Sequence, residues 1–218
     1  MFPVPKHLER LADQIDGWLD LRCPDKALAL VGPLLGDPAA RAAGLERKVR
    51  AHVRLGEYPQ ALADLAELRQ LAPAEAWVDL TEAWCRKRAG DLRGAVRCLE
   101  QLLARDHKEA VAQFNLGCYL ALLGERDRAI DALSLACGLD DGNRDFLRDD
   151  ADLDGLRTDP RFRALLREER APRKPAAGGL GDDDDLDDDD DWDDDLDGED
   201  DDDGPEEPPR RRGGASRN

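Results

Sequence analysis

The chain has 218 residues, of which 41% are hydrophobic, 38% charged and 5% aromatic, and its formal net charge is −18. Enough apolar residues are present to build one folded domain, and direct nucleic-acid binding is not expected. The longest stretch free of Asp, Glu, Lys and Arg, residues 110–124, is 15 residues long, which is too short for a membrane span.

The opening Met1-Phe2-Pro3-Val4-Pro5-Lys6-His7 soon acquires charge and lacks the apolar core of a secretory signal. A 34-residue beat then sets in. Ala27, Ala61, Ala95 and Ala129 keep that interval, and so do Gly56, Gly90 and Gly124. A period of this size predicts stacked helix-turn-helix units, an architecture that holds other molecules. Val31, Leu65, Leu99 and Leu133 follow the alanines by four residues, and Leu34, Leu68, Leu102 and Ala136 follow by seven, so all lie on one face of a second helix. The small alanine lets that helix approach the first closely. Each glycine supplies the left-handed turn between paired helices, a place taken in the first unit by Arg22.

Residues 8–141 thereby resemble the tetratricopeptide repeat family, whose pattern is W-x2-L-G-x2-Y, A-x3-F and P. The fourth unit follows it through Gln113, Leu116, Gly117, Leu120, Gly124, Ala129, Leu133 and Ala136, with Gln113 in place of the aromatic residue and Leu120 in place of the tyrosine. The second runs Leu45, Lys48, Val49, His52, Gly56, Ala61, Leu65, Leu68 and Pro73, with Lys48 a departure. The resemblance implies an all-α, right-handed α-solenoid of about four repeats, and a protein that binds a peptide or protein in a concave groove lined by the first helix of each repeat.

The third unit offers two registers. Trp77, Leu80, Thr81 and Trp84 fit the first-helix signature but lie two residues early for Gly90 and Ala95. If the glycine register ruled, Asp79, Glu82 and Arg86 would point between repeats, where unpaired charge is costly. The preferred reading therefore shifts the helix and places Trp77 and Trp84 in the core; the other leaves Trp77, Leu80 and Trp84 in the groove.

By the same resemblance, the second unit presents Ala43, Glu46, Arg47, Arg50, Val53 and Arg54 to the groove, and the fourth Val111, Phe114, Asn115, Cys118, Ala121 and Leu122. In the preferred register the third contributes Arg86. Arg47, Arg50, Arg54, Arg86, Phe114, Asn115 and Cys118 are thus the candidate groove residues, cationic at one end and apolar at the other. Only Asn115 matches the family's carboxylate clamp, so chaperone binding has no support.

Residues 142–170 keep apolar residues at helical intervals, as a solenoid's terminal cap requires, and the segment from Asp152 to Phe162 resembles the closing segment of many bacterial proteins of this family. Asp150-Ala151-Asp152-Leu153-Asp154-Gly155 opens like a calcium loop, but Arg161 stands where a bidentate Glu is needed. The reading is an acidic turn before a helix capped by Asp159, with Pro160 at its first position.

Residues 171–181 read as a flexible linker. Residues 182–203 contain 18 acidic residues in 22 positions, broken only by Leu186, Trp192, Leu196 and Gly198, a composition expected to stay disordered. Residues 182–218 hold 20 acids and 4 bases, or −16, whereas residues 1–181 hold 30 acids and 28 bases, or −2. Leu186, Trp192 and Leu196 suit the tail to contact with a cationic partner or with the groove itself. Against these stands a tail that merely solubilises, or one that acts as a polyanionic chaperone or nucleic-acid mimic for basic proteins.

No HExxH, GxSxG or phosphate-cradling loop is present, and His7, His52 and His107 are far apart. His52 reads as a packed residue. Five cysteines without a CxxC pair read as reduced thiols of a cytoplasmic protein. Neither an enzyme, a cofactor nor a metal is expected.

Overall fold

The structure is a computed structural model that describes residues 2–167. Its helices pair into four repeats: α1 (Lys6–Asp20) with the broken pair α2 (Pro24–Leu30) and α3 (Gly32–Gly36), α4 (Arg41–Arg54) with α5 (Tyr58–Leu71), α6 (Ala76–Arg88) with α7 (Leu92–Arg105), and α8 (Ala110–Leu122) with α9 (Arg126–Leu139). Val31 is the break between α2 and α3, and Pro33 in the first turn of α3 lacks the amide that would continue α2 through it. The short α10 (Asn143–Phe146), a 3-10 turn (Ala151–Leu156) and α11 (Pro160–Arg167) close the described chain. All described elements are helical, in a right-handed α-solenoid.

The periodic residues fill the core. Ala27, Ala61, Ala95 and Ala129 are each at most 1% exposed, and the hydrophobic residues four and seven positions on are buried with them. Gly56, Gly90 and Gly124 have φ of 70°, 82° and 78°, and Arg22 adopts the same left-handed conformation at φ 52°. Arg22 therefore holds the glycine's place in the first turn, at the steric cost of a Cβ.

The third repeat keeps the glycine register, which corrects the preferred sequence reading. Asp79, Ala83 and Cys85 are buried, while Trp77, Leu80 and Trp84 are only half-buried. The charge that counted against this register is paired. Arg69 of α5 donates to both Asp79 and Glu82, and Arg105 of α7 donates to the other oxygen of Asp79. Arg86 donates to Glu82 at 2.8 and 2.9 Å and to Asp91 at 2.9 Å. Burial alone would raise the Glu82 pKa, but the hydrogen bonds from Arg86 and Arg69 outweigh it and hold the carboxyl below its usual range. Arg105 also donates to the Pro73 carbonyl at 2.8 Å, fastening the short linker before α6.

The segment after α9 packs on the fourth repeat: Leu147, Leu153, Leu156 and Phe162 are fully buried in one cluster with Tyr119 and Leu133. The Asp159 carboxylate accepts the Arg161 amide at 2.9 Å, capping α11 as its sequence suggests. Asp152 and Asp154 of the calcium-like motif are paired with Lys87 and Arg157, and Asp150 accepts the Asp152 amide. Four of the five cysteines are buried and all are free thiols. Burial, with Glu82 nearby, pushes Cys85 up to about 12 and Cys98 up to about 11.

Candidate partner-binding face

The arginines of α4 meet acids from the preceding repeat. Arg47 is 3% exposed and donates to Asp16 at 2.5 Å, and Arg50 reaches the other oxygen of Asp16 at 3.2 Å. Asp20 lies 3.9 Å from Arg50, and Arg54 donates to the Leu19 carbonyl. Burial, followed by the neighbouring Arg50, lowers the Arg54 pKa. These cations thus find much of their counter-charge on α1, in the layer between the first two repeats. The signal was present in the sequence, since Asp16 and Arg50 are 34 residues apart and so are Asp20 and Arg54.

On α6, the glycine register takes Arg86 away from the groove positions and into the Glu82–Asp91 pairs already described. It gives those positions to Trp77, Leu80 and Trp84 instead. Trp84 stands edge-on to Tyr58 at 5.5 Å between ring centroids, with the Arg88 guanidinium 5.5 Å from its own ring. On α8, Phe114 is half-buried beside Phe146 at 6.2 Å, and Phe146 itself is 61% exposed. Asn115 is half-buried on the same helix. Cys118 is closed off, because its thiol donates to Asp150 at 3.1 Å and burial pushes its pKa well above the ordinary value.

Both ends of the chain's described part reach this row of first helices. The 3-10 turn lies along α8, and Asp152 crosses to Lys87 of α6 at 2.5 Å, with the Lys87 ammonium 5.5 Å from the Tyr119 ring. At the other end, the Phe2 amide donates to Glu46 of α4 at 3.0 Å, and the Phe2 ring lies 6.1 Å from that of Trp77. Trp77 and Trp84 of α6 and Phe114 of α8 are each half-buried on this row.

His52 is 8% exposed, with Nδ1 2.6 Å from Glu57 and Nε2 3.5 Å from Asp64, a packed position between two carboxylates. Among the described residues no group of three or more His, Cys, Asp or Glu side chains converges as a metal site would, and no helix is long and apolar enough to cross a membrane. Leu186, Trp192 and Leu196 lie outside the described residues.

No protein-family model matches the sequence, and no curated protein matches it. Solved structures do. MamA from Desulfovibrio magneticus RS-1 is 16% identical and superposes with a TM-score of 0.60 over 75% of this chain and 96% of its own. YrrB, described as a TPR protein with an unusual peptide-binding site, is 15% identical with a TM-score of 0.56 over 74% of this chain and 87% of its own. TTC0263, a thermophilic TPR protein of Thermus thermophilus, is 22% identical with a TM-score of 0.50 over 62% and 77%. The fold is therefore that of the tetratricopeptide repeat proteins.

Proposed function

We propose that this protein is a protein-interaction module whose first helices hold an extended peptide segment of a partner. The observation that carries the reading is the half-buried Trp77 and Trp84 of α6 together with Phe114 of the next first helix, α8. Aromatic side chains at such positions give much contact area for little ordering entropy, which suits them to anchor a ligand. The peptide-binding site named for YrrB supports a groove of this kind by analogy of fold. The pairing of Arg47 and Arg50 with Asp16 favours an apolar, aromatic-reading groove over one selecting an acidic ligand. Arg47, Arg50, Arg54 and Arg86 then serve as supports of the helices, while Phe114 and Asn115 stay within reach of a ligand. A cytoplasmic setting, reduced thiols and the absence of catalysis belong to the same reading.

The test is peptide selection from a random library on the full chain, followed by binding to residues 1–170 and to residues 171–218 separately. The reading expects binding to follow residues 1–170 and to weaken at least about tenfold in Trp84→Ala or Phe114→Ala. Binding that follows residues 171–218 instead would assign the interaction to the polyanionic tail.

A further inference from the structure

The segment Phe2-Pro3-Val4-Pro5 leads into α1, where Pro5 is the N-cap and its carbonyl accepts the Leu8 amide at 2.8 Å. Phe2 and Val4 each precede a proline, which disfavours helix and favours extended backbone, and Pro5 is extended at φ −61° and ψ 143°. The arm bridges two clusters: Val4 packs against that of the first repeat, and Phe2 against that of the second and third, with Trp77 and Trp84. Its main chain binds through the Phe2 amide on the Glu46 carboxylate, 3.0 Å away, and its ring rests on Trp77. Glu46 is 8% exposed, a carboxylate whose burial needs hydrogen-bond donors. Glu46 and Trp77 are both groove positions of neighbouring first helices. An extended strand that supplies one amide donor and one aromatic ring is also what a bound peptide would supply.

We propose that the N-terminal arm is a displaceable occupant of the binding face, and that the partner is an extended peptide with the arm's chemistry: an aromatic residue followed by proline, its amide on Glu46 and its ring on Trp77. This rests on the groove reading above and names its ligand class. Tethering supplies the arm at an effective concentration on the order of millimolar, so it holds back any partner whose contacts are no better than its own. An aromatic-proline segment arriving with further contacts along Trp84 and Phe114 displaces it.

The test uses a C-terminally labelled peptide of sequence MFPVPKHL and fluorescence anisotropy. The full chain, the full chain carrying Phe2→Ala, and a chain lacking residues 2–5 are compared, each checked for helix content by circular dichroism. The arm-less chain and Phe2→Ala are expected to bind the peptide at least about tenfold more tightly than the parent, with the gain lost on adding Trp77→Ala or Glu46→Gln. Equal binding to parent and arm-less chains overturns the arm as an occupant and leaves the groove reading standing. No binding to a folded arm-less chain that still takes library-selected peptides through Trp84 overturns the assigned ligand class. If deletion unfolds the chain, Phe2→Ala decides: a folded variant with no gain in affinity overturns the proposal.

Discussion

Gly117 and Gly17 both sit inside helices, and their surroundings give their alanine variants opposite signs. A Cβ on Gly117 would stand 2.5 Å from Leu133 Cγ, inside the contact between α8 and α9, whereas one on Gly17 of α1 meets nothing within 4 Å. Gly117→Ala is expected to destabilise by about 1–3 kcal/mol through overpacking, and Gly17→Ala to stabilise by about 0.4–1 kcal/mol by removing backbone freedom from the unfolded chain. Urea denaturation reads both. The paired charges of the third repeat make a further case at this scale. Because the folded Glu82 pKa lies below its unfolded value, its contribution is present above about pH 4.3 and is lost as pH falls through the folded value. The acid limb of a stability-against-pH curve should therefore flatten in Glu82→Gln, while the parent loses stability below about pH 4. Asp79→Ala, which leaves Arg69 and Arg105 facing each other, is expected to cost about 1–3 kcal/mol, less than a wholly buried pair because both arginines are partly exposed.

Among the elements, α6 shows where the sequence is legible and where it is not. The alanine and glycine intervals locate every helix pair of the array, because close packing and a left-handed turn each tolerate few residue types. The register of α6 escapes such a reading, since Asp79 and Glu82 look unfit for a core when considered alone; their partners, Arg69 and Arg105, lie on the helices before and after. Arg47 and Arg50 of α4 likewise find their partner, Asp16, one repeat away. Apolar periodicity reads a chain locally, whereas charge compensation is settled between repeats. The arm is invisible as a ligand-like segment because nothing in Phe2-Pro3-Val4-Pro5 says which surface it will meet. The terminal segment gives an element-scale prediction. Phe162 of α11 is fully buried against the last repeat. Phe162→Ala should cost about 3–5 kcal/mol and lower the melting temperature by roughly 6–20 °C. A shift under about 3 °C in a calorimetric scan would mean that α11 does not cap the array.

For the molecule as a whole, the division of charge implies a division of labour. Residues 1–181 are nearly balanced at 28 bases against 30 acids, and ion pairs among the described residues tie neighbouring repeats together and fasten the 3-10 turn to α6. Residues 182–218 hold almost all of the net charge. Truncation after residue 170 is therefore expected to leave the melting temperature within about 3 °C of the full chain, because the periodic apolar positions and the residues packed on α9 all precede it. The pairing of Arg47 and Arg50 with Asp16 also weakens the electrostatic motive for the tail to compete for the groove. The four tryptophans report separately on the parts in question. Trp18 lies in the first repeat under Lys26, Trp77 and Trp84 on the proposed groove, and Trp192 in the acidic tail. The most direct measurement is a titration of the full, nitrogen-15-labelled chain with a library-selected peptide, following the four indole N–H signals assigned by single Trp→Phe variants. The groove account predicts that Trp77 and Trp84 shift together and saturate with the peptide while Trp18 and Trp192 stay in place; shifts confined to Trp192 or Trp18 on saturable binding would contradict it.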